Sequence, residues 1–296
     1  KNDKTTALIH ANRLLTDGFR NNSGLEQNLF NLKIKHKLNP SSKIQFQMNY
    51  TESPRAEDAG GITLEDSEQN RSQARQRNLD YDTYESVNHF KIGLNWDKSW
   101  TDKVILSTYG FYSFRDFYGK LPFENGGIID LTRNYFGLGS RLNYKIGKNN
   151  LQVAAELLDQ SDQRDRYLNI LGSQGSISFS QKEKFQNLSF SILDEVKLEK
   201  LFFRLSLRYD DMRLGTDGFS QDQFYQVINP SLGISLELAP YQHLYANFST
   251  SFETPALSEL SANPSGAEGF NLELSPSEAI SYELGWKGQW KKFKLE

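Results

Sequence analysis

The stretch NPSSKIQFQMNYTESP, residues 39–54, starts as a turn and continues as an alternating segment. Its large apolar and polar side chains alternate strictly, with Ile44, Phe46, Met48 and Tyr50 lying between Gln45, Gln47, Asn49 and Thr51. Because successive side chains of an extended strand point to opposite faces, this segment has one apolar face and one amide-rich face. A soluble sheet would bury the apolar face in a core, whereas a membrane β-barrel would turn it to lipid and line its lumen with the amides. This strand alone is compatible with both folds.

The same period of two recurs from one end of the chain to the other. Alternating segments cover about 6–19, 27–38, 43–52, 83–96, 103–117, 134–146, 150–160, 182–197, 201–214, 224–238, 243–252 and 278–289, and another begins at Lys292. Many of them exceed the roughly 5 to 6 residues that are usual for strands of soluble proteins. They are long enough to cross a bilayer at a tilt. The pattern therefore predicts an all-β protein of about thirteen strands.

The connections between these segments alternate between short and long. Short turns are predicted at 39–42, 97–102, 147–149, 199–200 and 239–242, and long loops at 53–82, 118–133, 159–181, 215–223 and 253–277. A meander with all its short turns at one end and all its long loops at the other is typical of membrane barrels, whereas sandwiches mix their loop lengths. The connections thus favour a transmembrane antiparallel β-barrel over a soluble all-β fold.

Composition excludes several classes of function. The 296 residues carry a net charge of −3, which is not the basic footprint that a nucleic-acid partner requires. The absence of cysteine excludes disulfides, thiolate metal sites and thiol nucleophiles. The four histidines lie far apart in sequence, and no serine motif accompanies them, so we expect neither a metal site nor an enzyme. Nothing in the sequence calls for a cofactor.

Two segments, 229–260 and 271–288, resemble the mid-barrel signature of TonB-dependent outer-membrane receptors. Segments 16–24 and 52–63 are similar to an earlier barrel stretch of the siderophore and ferric-citrate-like branch of that family. One departure is Ser277, which stands where the family more often has a glutamate. The residues that match the signature are Leu244, Tyr245, Ala246, Asn247, Ser249, Phe252, Pro255 and Glu259, followed by Leu274, Pro276, Tyr282, Glu283, Leu284 and Gly285.

The resemblance implies that residues 1–296 are part of a larger barrel of about 22 strands. In such a receptor a plug domain, not found in this sequence, would couple the barrel to the TonB complex of the inner membrane. It also implies a place in the outer membrane of a Gram-negative bacterium, contact with outer-membrane lipid, and uptake of a scarce solute such as a ferric siderophore. A porin-like or adhesin-like barrel without a plug is the alternative. We expect the chain to be an internal segment of the whole receptor.

Arginine and aromatic residues near the predicted long loops are the candidate ligand-binding residues. Arginine can hold an anionic ferric chelate through paired hydrogen bonds, and aromatic rings can stack on its organic shell. Interleaved acidic residues such as Glu57 and Asp58 leave ordinary solvated loop charge as the alternative. The candidates are Arg55, Arg115, Phe117, Tyr118, Arg133, Arg164, Arg166 and Tyr167.

Overall fold

A computed structural model describes residues 3–217, 222–261, 270–290 and 293–295. Within these ranges thirteen strands form one sheet, in which each strand pairs in antiparallel fashion with its neighbours in sequence. The strands are β1 Thr5–Thr16, β2 Leu25–Asn39, β3 Ser42–Glu57, β4 Tyr84–Thr101, β5 Val104–Lys120, β6 Ile128–Ile146, β7 Asn149–Ile170, β8 Ser173–Leu198, β9 Leu201–Thr216, β10 Gln223–Ala239, β11 Gln242–Glu253, β12 Ser277–Trp290 and β13 Phe293–Leu295.

A short turn of two residues follows β2, β4, β6, β8 and β10, as predicted, but the one predicted at 97–102 lies at 102–103 because β4 continues to Thr101. Local chemistry explains them. In the β2–β3 turn the Asn39 side-chain oxygen accepts a hydrogen bond from the Ser41 backbone N–H at 3.0 Å, which is an Asx turn. Gly147, Glu199 and Tyr241 have positive φ in the turns that follow β6, β8 and β10. These turns mark one end of the sheet, here called the short-turn end; the opposite end is the long-loop end.

The two faces of the sheet differ as the alternation predicted. Apolar side chains on one face stand open rather than in a core: Leu94 is 51% exposed, Leu138 55% and Phe190 50%. The opposite face carries Gln45, Gln47 and Asn49 and encloses a hollow, so this polar face is the inner, concave one. An exposed apolar outer face with a polar inner face is the pattern of a barrel wall in lipid.

Two of the predicted long loops, 118–133 and 159–181, are wrong. Strand β5 continues to Lys120 and β6 starts at Ile128, while β7 and β8 extend into one long hairpin closed by Leu171 and Gly172. The error has a physical cause. Beyond about residue 159 both faces of β7 are polar, so the apolar period disappears although the backbone hydrogen bonds of the ladder continue. The outer face is polar there because these strands project past the apolar band.

The loop between β3 and β4 is folded rather than extended. It contains two short helices, α1 Leu64–Gln69 and α2 Gln76–Asp80. Arg20, from the β1–β2 loop, donates hydrogen bonds to the carbonyls of Gln73, Gly60 and Ala59 at 2.9, 2.7 and 3.2 Å. These bonds join the two loops into one unit at the long-loop end.

The loop between β11 and β12 folds against the inner wall. Its helix α3, Leu257–Leu260, buries Leu257 and Leu260 against Met212 and Leu214 of β9. Residues 262–269 of the predicted loop 253–277 lie outside the described residues, as do 218–221 of the predicted loop 215–223. In the described part of the chain no helix is long and apolar enough to cross a membrane.

Candidate functional site

The inner face of β5–β8 at the long-loop end brings together five of the eight predicted residues. The strand register places Arg115 of β5 opposite Arg133 of β6, Arg133 opposite Asp162 of β7, and Asp162 opposite Glu183 of β8. Phe117, Arg164 and Arg166 follow on the same face, because they lie two or four residues further along their strands. We call this set the arginine wall. It lies above the apolar band, since the outward neighbours of this row include Asp116, Ser161 and Gln163.

Two of the arginines are held by buried carboxylates. Arg133 binds Asp162 through two nitrogens, with Nε to Oδ1 at 2.9 Å and Nη2 to Oδ2 at 2.6 Å. Arg164 binds Glu183 in the same forked way, at 2.9 and 3.1 Å. Both carboxylates are fully buried, so each is desolvated and held in one geometry by its arginine. Arg133 and Arg164 therefore build the wall, and their guanidinium groups are already occupied.

The other two arginines have no such partner. Among the described residues neither Arg115 nor Arg166 forms an ion pair, and Nε of Arg115 is buried without a hydrogen-bond partner. The Arg115 guanidinium lies 5.4 Å from the ring centre of Phe117. Burial and the nearby charge of Arg164 lower the pKa of Arg166, which remains positively charged at neutral pH. Four arginines against two carboxylates leave a net charge of +2 on the arginine wall.

A hollow of about 510 Å³ lies beside Arg115 on the inner face of β3–β7. Three kinds of polar group line it: the amides of Gln45, Gln47, Asn49, Asn95 and Gln160, the hydroxyls of Tyr109, Ser113 and Tyr135, and the basic side chains of His89, Lys91, Arg115 and Arg133. No carboxylate is found among the described residues that line it. Lys91 also has no ion-pair partner in the described chain. Phe111 and the ring of Tyr109 line it as well, so the hollow combines cationic and amide groups with apolar surface.

Sequence reasoning did not select Lys91, His89 or the amides as site residues. Each lies on the polar face of a strand, which the alternation identifies correctly. The missing information is three-dimensional: side chains from five strands, β3 to β7, converge only through the register of the sheet. The signal that could have indicated this compartment is the lack of acidic residues on the polar faces of 44–50 and 89–95.

Three predicted residues, Arg55, Tyr118 and Tyr167, belong to a different surface. Tyr118 alternates with Phe117 on β5 and so lies on the outer face, with its ring 6.0 Å from that of Tyr84. The Arg55 guanidinium stacks on the Tyr84 ring at 4.3 Å. Burial raises the pKa of Tyr118, and Tyr84, Asp130, Asp82 and Tyr167 add to this effect. The structure thus separates these three residues from the arginine wall.

Arg55 takes part in an ion-pair network at the long-loop end, here called the outer clasp. Arg55 Nη2 contacts Asp82 at 2.7 Å and its Nε contacts Glu57 at 3.0 Å, while Lys120 Nζ contacts Asp82 at 2.8 Å. Lys120 also donates to the Gly172 carbonyl at 2.7 Å, which ties in the β7–β8 hairpin tip. Burial alone would raise the pKa of Asp82, but the hydrogen bonds from Arg55 and Lys120 lower it.

Comparison with known proteins agrees with this architecture. The family model described as TonB dependent receptor-like, beta-barrel matches residues 5–296. The fold also matches solved structures at low sequence identity. The ferric citrate transporter FecA in its unliganded form has a TM-score of 0.77 at 19% identity, over 96% of this chain and 43% of that one. The copper transporter OprC gives 0.76 at 13% identity, over 99% and 48%.

A third structure, the ferric-catecholate import receptor Fiu from E. coli, gives a TM-score of 0.73 at 12% identity, over 98% of this chain and 52% of that one. The chain therefore spans about half or less of the length of each of these three proteins. The sequential antiparallel sheet and these matches confirm the predicted transmembrane β-barrel class. The chain belongs to the family of TonB-dependent receptor-like β-barrels.

Proposed function

We propose that the intact receptor binds an anionic solute, a compact ferric chelate, at the arginine wall and the hollow beside it, for TonB-energised uptake through the outer membrane of a Gram-negative bacterium. The observation that carries the proposal is the hollow, where Lys91 and Arg115 face a compartment without a carboxylate. Two unneutralised cations in one partly buried place raise the free energy of the protein unless an anion binds between them. A bound chelate would supply that charge.

The arrangement of groups suits a chelate more than a simple ion. Among the described residues the Arg115 guanidinium has no hydrogen-bond or ion-pair partner, so it is free to donate to a carboxylate or catecholate oxygen. The amides of Gln45, Gln47 and Asn49 offer donors and acceptors on the other side of the hollow. Arg166, closer to the hairpin tip, places a further positive charge on the approach to it. Positive charge along the arginine wall attracts an anionic solute and raises its local concentration.

The solved structures do not decide the substrate by themselves. Their names include a ferric citrate transporter, a copper transporter and a ferric-catecholate receptor, so one fold serves different solutes. The support for an anion comes instead from the charges of this chain. A passive porin-like barrel is the alternative, and it predicts no saturable binding at the hollow.

Calorimetry on the purified intact receptor tests the proposal. The probes are ferric citrate, an anionic tris-catecholate ferric chelate and a neutral tris-hydroxamate ferric chelate. We expect saturable binding of an anionic chelate, weakened in Arg115→Gln by about 1.5 to 3 kcal/mol, the range for one charge-assisted hydrogen bond. Arg55→Gln on the outer clasp is the matched control and should bind like wild type. Equal binding of the neutral chelate, or no binding of any chelate, would contradict the proposal.

A further inference from the structure

One basic group that lines the hollow, His89, can gain or lose its charge within the physiological pH range. His89 lies on β4 directly opposite Arg115 of β5, and its Nε2 lies 3.0 Å from Oγ of Ser113. The imidazole therefore lines the hollow beside two permanent cations, Lys91 and Arg115. Histidine is the side chain whose ordinary pKa falls between pH 5 and 8, so its charge can respond to what occupies the hollow.

We propose that His89 is the proton-dependent third cation of this site, so that binding of an anionic chelate takes up a proton from solution. This inference rests on the proposed function. It adds a specificity rule: the receptor prefers more highly charged anions, and this preference grows as the pH falls. His89 would act by contact with the bound anion, in addition to the permanent charges of Lys91 and Arg115.

The groups that face His89 explain the direction of the effect. The inward residues near it are Asn49 and Thr51 on β3, Lys91 on its own strand, Ser113 and Arg115 on β5, and Arg133 and Tyr135 on β6. The charged members of this set are all positive, and Arg133 alone is neutralised, by Asp162. Burial, and after it the positive charges of Lys91, Arg115 and Arg133, oppose protonation of the ring when no anion is bound. An anion placed among the same groups reverses the field and favours the protonated ring.

The linkage can be measured directly. Titration calorimetry of the intact receptor with an anionic tris-catecholate ferric chelate, in two buffers of different ionisation enthalpy, gives the number of protons taken up on binding. We expect wild type to take up a fraction of one proton near neutral pH and to bind roughly threefold to tenfold more tightly at about pH 6 than at about pH 8. His89→Gln, which keeps a polar group near Ser113 but cannot titrate, should lose both effects. Comparing the two proteins cancels any titration of the chelate itself.

A second variant keeps the inference testable if His89→Gln fails to fold. Lys91→Gln removes one charge that opposes protonation, so the pH of maximal proton uptake should move upward relative to wild type. Equal proton uptake by wild type and His89→Gln, or an unchanged pH profile in Lys91→Gln, would overturn the role of His89 while leaving chelate binding intact. Absence of chelate binding at every pH would instead contradict the proposed function.

Discussion

Replacement of Arg164 by Met tests whether the buried ion pairs hold the arginine wall together. Glu183 is fully buried and accepts hydrogen bonds from Arg164 at 2.9 and 3.1 Å, from Gln181 at 3.3 Å and from Ser261 at 2.5 Å. Arg164→Met removes the only cation that contacts this carboxylate in the described residues and leaves a negative charge in a desolvated place. The contact with Ser261 also links the pair to the β11–β12 loop.

The expected cost follows from the burial of Glu183. Removing one partner of a buried pair destabilises a protein by about 3 to 5 kcal/mol, because the remaining charge is uncompensated. Neutralising that charge should recover much of the loss, so the double variant Arg164→Met/Glu183→Gln should be clearly more stable than Arg164→Met alone. The free energy of unfolding is measured by urea titration of the intact barrel folded into lipid vesicles, with tryptophan fluorescence as the signal.

Arg166→Met is the matched control for this experiment. Arg166 lies two residues further along the same strand, on the same face, but has no ion-pair partner in the described chain. We expect its replacement to change stability little, within about 1 kcal/mol, while weakening chelate binding. An unchanged unfolding free energy in Arg164→Met, or equal losses in the two single variants, would refute the division between structural arginines and those proposed to bind the chelate.

Three further tests address the outer clasp, the packing of Tyr109 against Gly139, and the two faces of the sheet. The Asp82→Asn variant should lose the stability that the ionised Asp82 carboxylate contributes at neutral pH. In wild type this contribution disappears as the pH falls from about 3.8, the ordinary pKa of Asp, through the lower pKa of Asp82 in the folded protein. The loss is at most about 1 kcal/mol because the pair is half-exposed, and it is measured by unfolding at a series of acid pH values. Gly139→Ala places a Cβ 2.5 Å from the Tyr109 ring, and this overlap should lower the free energy of unfolding, measured by urea titration, by about 1 to 3 kcal/mol. Adding Tyr109→Ala removes the overlapping ring and should restore part of that loss. Phe46→Arg should cost about 2 to 4 kcal/mol and Gln47→Arg much less, in the same assay; equal costs would contradict the assignment of faces.

Sequence reasoning predicts those parts of the fold that depend on lipid. Where one face meets the apolar band, each strand must alternate, and a slip of one residue would turn the whole apolar set inward. The segment 44–50 illustrates this, because its amides lie on the polar inner face, as predicted. The short turns are predictable for a local reason: residues such as Asn39 and Gly147 determine the backbone conformation without help from distant residues.

The parts that could not be predicted depend on partners far apart in sequence. Past the apolar band the strands of the β7–β8 hairpin lose their period, so they were predicted to be loops. The same limit applies to charge. Arg164 and Arg166 are equivalent in sequence, yet one has a buried carboxylate 19 residues away and the other has none. Only the register of β7 against β8 distinguishes them.

The two kinds of arginine have a common physical explanation. A wall that presents bare cations to a solute must keep those side chains in place without neutralising them. Paired arginines achieve this: Arg133 and Arg164 fix the inner faces of β6 to β8 through buried carboxylates. Arg115 is then flanked by a rigid neighbour, Arg133, whose charge is already compensated. An anion that reaches the hollow therefore meets preorganised donors, and little of its binding energy is lost in ordering them.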